Sequence, residues 1–155
     1  MKTMDMGAEE VKLAAKTGAD VVMVCGVASD GTVEAAVAAA RKSGVRLTAS
    51  LMGIRDQYCR AKQVDQLGVD YILPHRGTDD KFEWFDADHT ALLRRMMADI
   101  KTPLVICGGI NESNYSLVKD MGFAIKISGR GITSAKDPGR ATRWLVNLAA
   151  NSTGS

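Results

Sequence analysis

Thr17-Gly18-Ala19-Asp20-Val21-Val22-Met23-Val24-Cys25-Gly26 reads as the end of a helix, a turn and a strand in immediate succession. Gly18 supplies the left-handed residue that ends a helix and turns the chain. Val21 to Cys25 is apolar at consecutive positions, not alternating ones, which suggests a strand buried on both faces, as in parallel sheets. The same phrase returns at Ser43-Gly44-Val45-Arg46, Leu67-Gly68-Val69-Asp70 and Met121-Gly122-Phe123-Ala124. It leads there into strands at 47–51, 71–73 and 125–127, and a fifth, 104–107, is entered after Pro103. Between the strands, helices are expected at 8–16, 32–42, 55–66, 88–100, 113–120 and 138–149. Asp30 or Gly31, Asn111 and Asp137 stand where N-caps belong, the last followed by Pro138 at the favoured first helical position.

Strands alternating with helices make an α/β protein with right-handed crossovers. An open doubly wound sheet and a (β/α)8 barrel compete. Units of about 25 residues need roughly 200 or more residues to close eight. A chain of 155 residues falls short by about three strands, and it enters a helix almost at once. The residues alone leave the two architectures open; one domain over 1–150 with a flexible tail at 151–155 is expected.

Composition narrows the function. Hydrophobic residues at 46% and charged ones at 25% are ordinary globular values and give no sign of disorder. A formal charge of +2, from 20 basic and 18 acidic residues interspersed, provides no field for nucleic acid or an anionic membrane. A small molecule is the expected partner. Cys25, Cys59 and Cys107 lack paired C-x-x-C spacing, so neither a disulfide framework nor a zinc knuckle is indicated. Cys25 and Cys107, inside apolar runs, read as core residues. No apolar leader or membrane-length run is visible, and a cytoplasmic protein is expected.

Ligands of parallel α/β folds gather at the C-terminal ends of strands. The residues there are Gly26, Met52-Gly53, His75-Arg76-Gly77, Gly108-Gly109-Ile110 and Ser128-Gly129-Arg130-Gly131. One Gly-Gly alone marks a tight turn. Two glycine loops after the last two strands, with backbone N–H groups uncovered, point to a phosphate held by Gly108, Gly109, Gly129 and Arg130. Phosphate sites after strands seven and eight recur in barrels. His75, directly after its strand, is placed to act as general acid or base. Arg76 faces either substrate or solvent. His89, within a helix, reads as a surface residue, the Met96-Met97 pair as core, and Asp79, Asp80 and Lys81 as a solvated loop packed down by Trp84 and Phe85. At the start of the chain Lys2 and Asp5, three residues apart, can stabilise a developing negative charge and handle a proton; such pairs near a terminus are more often solvated surface.

These residues resemble a known family. Lys2-Thr3-Met4-Asp5 is similar to the second half of the D-x-K-x-x-D signature of the orotidine monophosphate decarboxylase superfamily. Together with Gly18-Ala19-Asp20-Val21-Val22, Gly68-Val69-Asp70-Tyr71-Ile72, Gly108-Gly109-Ile110 and Gly129-Arg130-Gly131-Ile132-Thr133-Ser134-Ala135-Lys136-Asp137-Pro138, it resembles the 3-hexulose-6-phosphate synthase and 3-keto-L-gulonate-6-phosphate decarboxylase group. The resemblance implies a ribulose-phosphate-binding (β/α)8 barrel, usually a homodimer, with the fourth to eighth strands present. It implies an aldolase joining formaldehyde to ribulose 5-phosphate through a Mg2+-stabilised enediolate, or a carboxy-lyase reaching a similar enediolate by losing CO2. Lys2 would stabilise the enediolate, Asp5 would reach into the neighbouring subunit's site and His75 would move the proton. Ser50 stands where these relatives carry an acid and becomes a candidate substrate contact beside Arg76. After His75-Arg76, Thr78 occupies the place of a second Arg in the decarboxylases, and Gly77 is synthase-like. The metal ligands and the leading Asp of the signature belong to the first three strands, so none is expected in this chain. A five-stranded piece of a barrel would expose strand edges, which predicts further coding sequence upstream of Met1, closure against a partner, or a non-catalytic sugar-phosphate-binding or oligomerising remnant.

Overall fold

The computed structural model describes residues 3–77, 79 and 85–151. Among these residues six α-helices and five strands follow one another as α1 (Gly7–Lys16), β1 (Val21–Cys25), α2 (Asp30–Ser43), β2 (Arg46–Ser50), α3 (Gln57–Leu67), β3 (Tyr71–Leu73), α4 (Ala87–Asp99), β4 (Val105–Cys107), β5 (Ile125–Ile127), α5 (Arg130–Thr133) and α6 (Pro138–Asn151). All strand pairs are parallel. β1 pairs with β2 and β2 with β3, and β4 pairs with β5. Single bridges join Thr3 to Val24 and Ile72 to Leu104. The spatial order therefore follows the chain order, without the reversal that defines a doubly wound sheet.

Local chemistry explains the regularity. The junction glycines Gly18, Gly44, Gly68 and Gly122 all have positive φ, between 71° and 87°, a region that other residues enter only at a cost. Asp70 caps the strand entry, its carboxylate accepting from Leu47 N at 2.8 Å. The core lies between the strands and one face of the helices: Leu47, Ala49, Leu51, Ile72, Val11, Val33, Val64, Leu93 and Met96 are at most 1% exposed. Met97 packs against this core from a partly buried position. Gly7 lets α1 touch α2, since a Cβ there would stand 2.4 Å from the Thr32 carbonyl oxygen.

Several expectations are corrected. The helix expected at 113–120 is only a 3-10 turn at Tyr115–Leu117. Asn111 does stand at a cap, its Oδ1 accepting from Ser113 N at 2.8 Å, but the turns that follow close with tighter bonds, Leu117 N to Asn114 O and Val118 N to Tyr115 O, both at 3.0 Å. The cap of α2 is Ser29, accepting from Thr32 N at 3.2 Å, not Asp30 or Gly31. Asp137 does cap α6, accepting from Arg140 N at 2.8 Å. His89 is 4% exposed and belongs to the interior; its N–H donates to Asp86 at 2.7 Å, so the cap of α4 draws the first turn inward. β5 is less buried than its apolar sequence suggests, with Ile127 37% exposed. Cys25 and Cys107 are half-buried. Burial pushes the Cys107 thiol up.

Two polar contacts pin loops to helices. Arg60 on α3 donates from Nε to Gly26 O at 2.7 Å and from Nη2 to Ala28 O at 3.0 Å, and pairs with Asp30 at 2.6 Å. It thereby holds the loop after β1. Asp65 accepts from Thr102 N at 2.8 Å and from Thr102 Oγ1 at 2.7 Å, tying α3 to the entry of β4. Burial of Asp65 works to raise its pKa, but the Thr102 and Lys101 hydrogen bonds and the Lys101 charge outweigh it and hold the carboxyl below its usual value. A depressed folded pKa stabilises the fold above the unfolded value, about 4. That stability is lost as pH falls through the lower, folded pKa. Urea midpoints measured between pH 6 and pH 2 are expected to decline at the acid end in the wild type and less steeply in Thr102→Val; parallel curves would remove Asp65 from the account.

Candidate functional site

All described strands present their C-terminal ends along one edge. β1 ends beside Thr3, whose carbonyl accepts from Cys25 N at 2.8 Å. β2 ends at Ser50, β3 leads through Pro74 into His75, and β4 and β5 lead into Gly108 and Ser128. Parallel register alone thus places the candidates from Asp5 to Arg130 on one face.

Ser50 and His75 meet. Ser50 is 4% exposed, and its Oγ lies 3.2 Å from His75 Nδ1. A hydroxyl both donates and accepts, so it serves either ring form at Nδ1. Gln57, at the start of α3, holds the His75 backbone: its Oε1 accepts from His75 N at 3.2 Å and its Nε2 donates to His75 O at 2.7 Å. Arg76 forms an ion pair with Asp86 at 2.7 Å. The Arg76 guanidinium and the His89 N–H hold the Asp86 carboxyl below its usual range. A cavity of about 370 Å³ opens here, lined by Gly53, Arg55, Gln57, His75, Arg76 and His89 among others.

The two glycine loops also meet. Ser128 Oγ donates to the Ile110 carbonyl at 2.6 Å, joining the loop after β4 to the loop after β5. Gly131 permits the approach, because a Cβ there would lie 2.1 Å from Ile110 O. Gly108 and Gly109 have φ of 105° and 64°, and the Gly109 carbonyl turns toward asparagine, Asn114 Nδ2 donating to it at 2.8 Å. Beside Gly129 there is open space where a Cβ would be. Arg130 is exposed and makes no ion pair among the described residues. An exposed guanidinium beside the open space at Gly129 is suited to an oxyanion.

Other candidates stand apart. Asp5 is exposed, its carboxylate accepting from Met6 N at 2.7 Å, and Met6 itself takes a left-handed conformation with φ 51°. Lys2 lies outside the described residues, as do Thr78, Asp80, Lys81 and Trp84. Among the described residues no three His, Cys, Asp or Glu side chains converge. They do not form a cation cage by themselves, so the expected Mg2+ is not fitted by this donor set. Gln57 and Asp86 escape a sequence reading, although Asp86 three residues before His89 has N-cap spacing; Ser128 and Gly131 are read as part of the strand-end loop, but not their contacts with Ile110.

Residues 1–145 match the Orotidine 5'-phosphate decarboxylase / HUMPS family. The chain belongs to that family. Among its family relatives, the 3-hexulose-6-phosphate synthase of Mycobacterium gastri is 34% identical over 146 residues, which span 94% of this chain and 69% of that protein. A crystal structure of 3-hexulose-6-phosphate synthase superposes with a TM-score of 0.84 at 33% identity, covering 96% of this chain and 70% of the other. KGPDC from Streptococcus mutans shares the fold with a TM-score of 0.85 at 23% identity, covering 98% of this chain and 71% of the other. The family match bears out the resemblance read from the motifs. No helix among the described residues is long and apolar enough to cross a membrane.

Proposed function

We propose that this chain is a 3-hexulose-6-phosphate synthase-type lyase, whose five strands form an arc of a (β/α)8 barrel and whose substrate is a pentulose phosphate. The observation that carries the reading is the Ser50–His75 contact at 3.2 Å on the same strand-end face as the joined glycine loops. The loops and Arg130 bind the phosphate of ribulose 5-phosphate. His75 takes a proton from C1 through Nε2, and the electron pair left behind is shared over the enediolate. C1 then attacks formaldehyde, a carbon–carbon bond forms, and the carbonyl pair moves to oxygen, which receives the proton from His75. The product is a 3-hexulose 6-phosphate. Lys2 is the group assigned to the enediolate charge, and Asp5, exposed on the rim, is assigned to a partner's site in a homodimer.

The Arg76–Asp86 ion pair favours the aldolase over the decarboxylase. A guanidinium already satisfied by a protein carboxylate at 2.7 Å is poorly placed to greet the carboxylate of a keto-gulonate. Assays of the chain with ribulose 5-phosphate plus formaldehyde, and separately with 3-keto-L-gulonate 6-phosphate, test the choice. Turnover of the first and not the second is expected; the reverse result would overturn it. Binding without turnover of either would leave a sugar-phosphate-binding remnant. Arg130→Ala is expected to weaken ribulose 5-phosphate binding by about 10- to 100-fold, the range of a lost charge-assisted bond, read by calorimetry. Unchanged binding would remove the phosphate from these loops.

A further inference from the structure

We infer that Gln57 is a positioning residue for His75, an amide clamp that takes the place of a neighbouring strand. β3 ends at Leu73, and its last ladder contact is Leu51 N to Leu73 O at 2.9 Å. Pro74 follows and has no N–H to continue a ladder. On the other side β3 touches β4 by one bridge at Ile72, before the strand end. Among the described residues His75 therefore leaves the sheet with a backbone donor and acceptor outside the strand ladders, and half-buried groups of that kind need partners. Gln57 provides both: its carbonyl accepts the His75 N–H at 3.2 Å and its NH2 donates to the His75 carbonyl at 2.7 Å. A primary amide offers a donor and an acceptor in one plane, so the pair also fixes which way the Gln57 amide faces.

The anchor of the clamp is firm. Gln57 is the first residue of α3, whose cap Asp56 accepts from Cys59 N at 2.9 Å. The next turn carries Arg60, bound to the loop after β1. With the backbone held by Gln57 and the ring held by Ser50, the imidazole has neither its main-chain position nor its Nδ1 face to adjust. A base displaced by about 1 Å can lose about 10²-fold in rate, which is the scale on which the clamp acts.

The inference rests on the reading of His75 as the proton-transferring group, and the test separates the two. Gln57→Leu removes both bonds. Gln57→Glu keeps the acceptor but turns a carboxylate oxygen toward the His75 carbonyl, and its near-identical shape preserves folding should the leucine variant not fold. Both are expected to lower kcat for the aldol reaction by about 10- to 100-fold while leaving KM for ribulose 5-phosphate within about twofold. With two histidines in the chain, ring 1H–13C NMR signals are assigned by His75→Asn alone. The His75 signal is expected to shift or broaden in both Gln57 variants. A His75 signal identical to wild type in a folded variant, or a loss confined to KM, would overturn the clamp. A shifted His75 signal in a chain whose turnover does not depend on His75 would keep the clamp and overturn the proposed chemistry.

Discussion

His75→Asn is expected to lower aldol turnover by about 10²- to 10⁴-fold, the usual contribution of a general base, with little change in the affinity for ribulose 5-phosphate. Asparagine retains a polar group near Ser50 but cannot take up a proton at neutral pH. The glycine loops proposed to hold the phosphate sit two and three strands beyond β2, so their geometry has no reason to respond. The sharpest measurement is exchange of the C1 proton of ribulose 5-phosphate in D2O, followed by NMR without formaldehyde, because it isolates proton removal from carbon–carbon bond formation. Exchange at the wild-type rate in His75→Asn would move the base elsewhere. Ser50→Ala is a graded companion: the base remains but its ring is less well held, and a loss smaller than that of His75→Asn is expected.

The second large effect belongs to Gly131. A methyl group there would stand 2.1 Å from a backbone oxygen, that of Ile110, as well as 2.7 Å from Ser128 Oγ and 3.1 Å from Asn111 Cβ. A backbone atom in a turn pinned by Ser128 cannot step aside as a flexible side chain would, so the two glycine loops must separate. Gly131→Ala is expected to cost about 1–3 kcal/mol of stability, the range for forced overpacking, and to raise KM for ribulose 5-phosphate by about 10-fold or more as phosphate N–H groups lose their convergence. Gly129→Ala provides the contrast. Its Cβ meets nothing within 4 Å and its φ is −98°, so the urea midpoint should hold while the new methyl intrudes on the space assigned to the phosphate. Equal stability losses in the two variants would show that the loops are not held together through Gly131.

Much of the fold is legible in the sequence because its determinants are local. A helix that ends on Gly18, Gly44 or Gly68 and runs straight into an apolar strand needs no distant partner to be recognised. Parallel strands then bring their far ends together whatever lies between them. That is why Ser50, His75, Gly108, Gly109, Gly129 and Arg130 fall on one edge by pattern alone. Gln57 and His75, by contrast, meet across 18 residues of chain, and nothing about a glutamine at a helix start announces that its amide serves another backbone. Asp86 pairing with Arg76, and Gly131 pressed on Ile110, belong to the same class. At 113–120 the cap is read correctly but the helix is not: Asn111 caps the segment, which then closes in i to i+3 turns at Tyr115–Leu117, a choice that spacing alone does not reveal. His89 misleads through its charged neighbour Asp88, because helix periodicity in a short amphipathic segment does not settle which flank turns inward.

The single bridge between Ile72 and Leu104 carries a consequence for cooperativity. Among the described residues, β1, β2 and β3 form one hydrogen-bonded unit and β4 and β5 another, and their meeting line is held by Ile72 N to Pro103 O at 3.1 Å and by Asp65 on Thr102. Sparse hydrogen bonding marks where sub-global opening begins. His75 lies on one bank of that line and the two glycine loops on the other. A sugar phosphate reaching from Arg130 to His75 would therefore bolt the two units together. Amide exchange at Ile72 should slow on its addition more than exchange deep within β2, making the substrate part of the scaffold that aligns it.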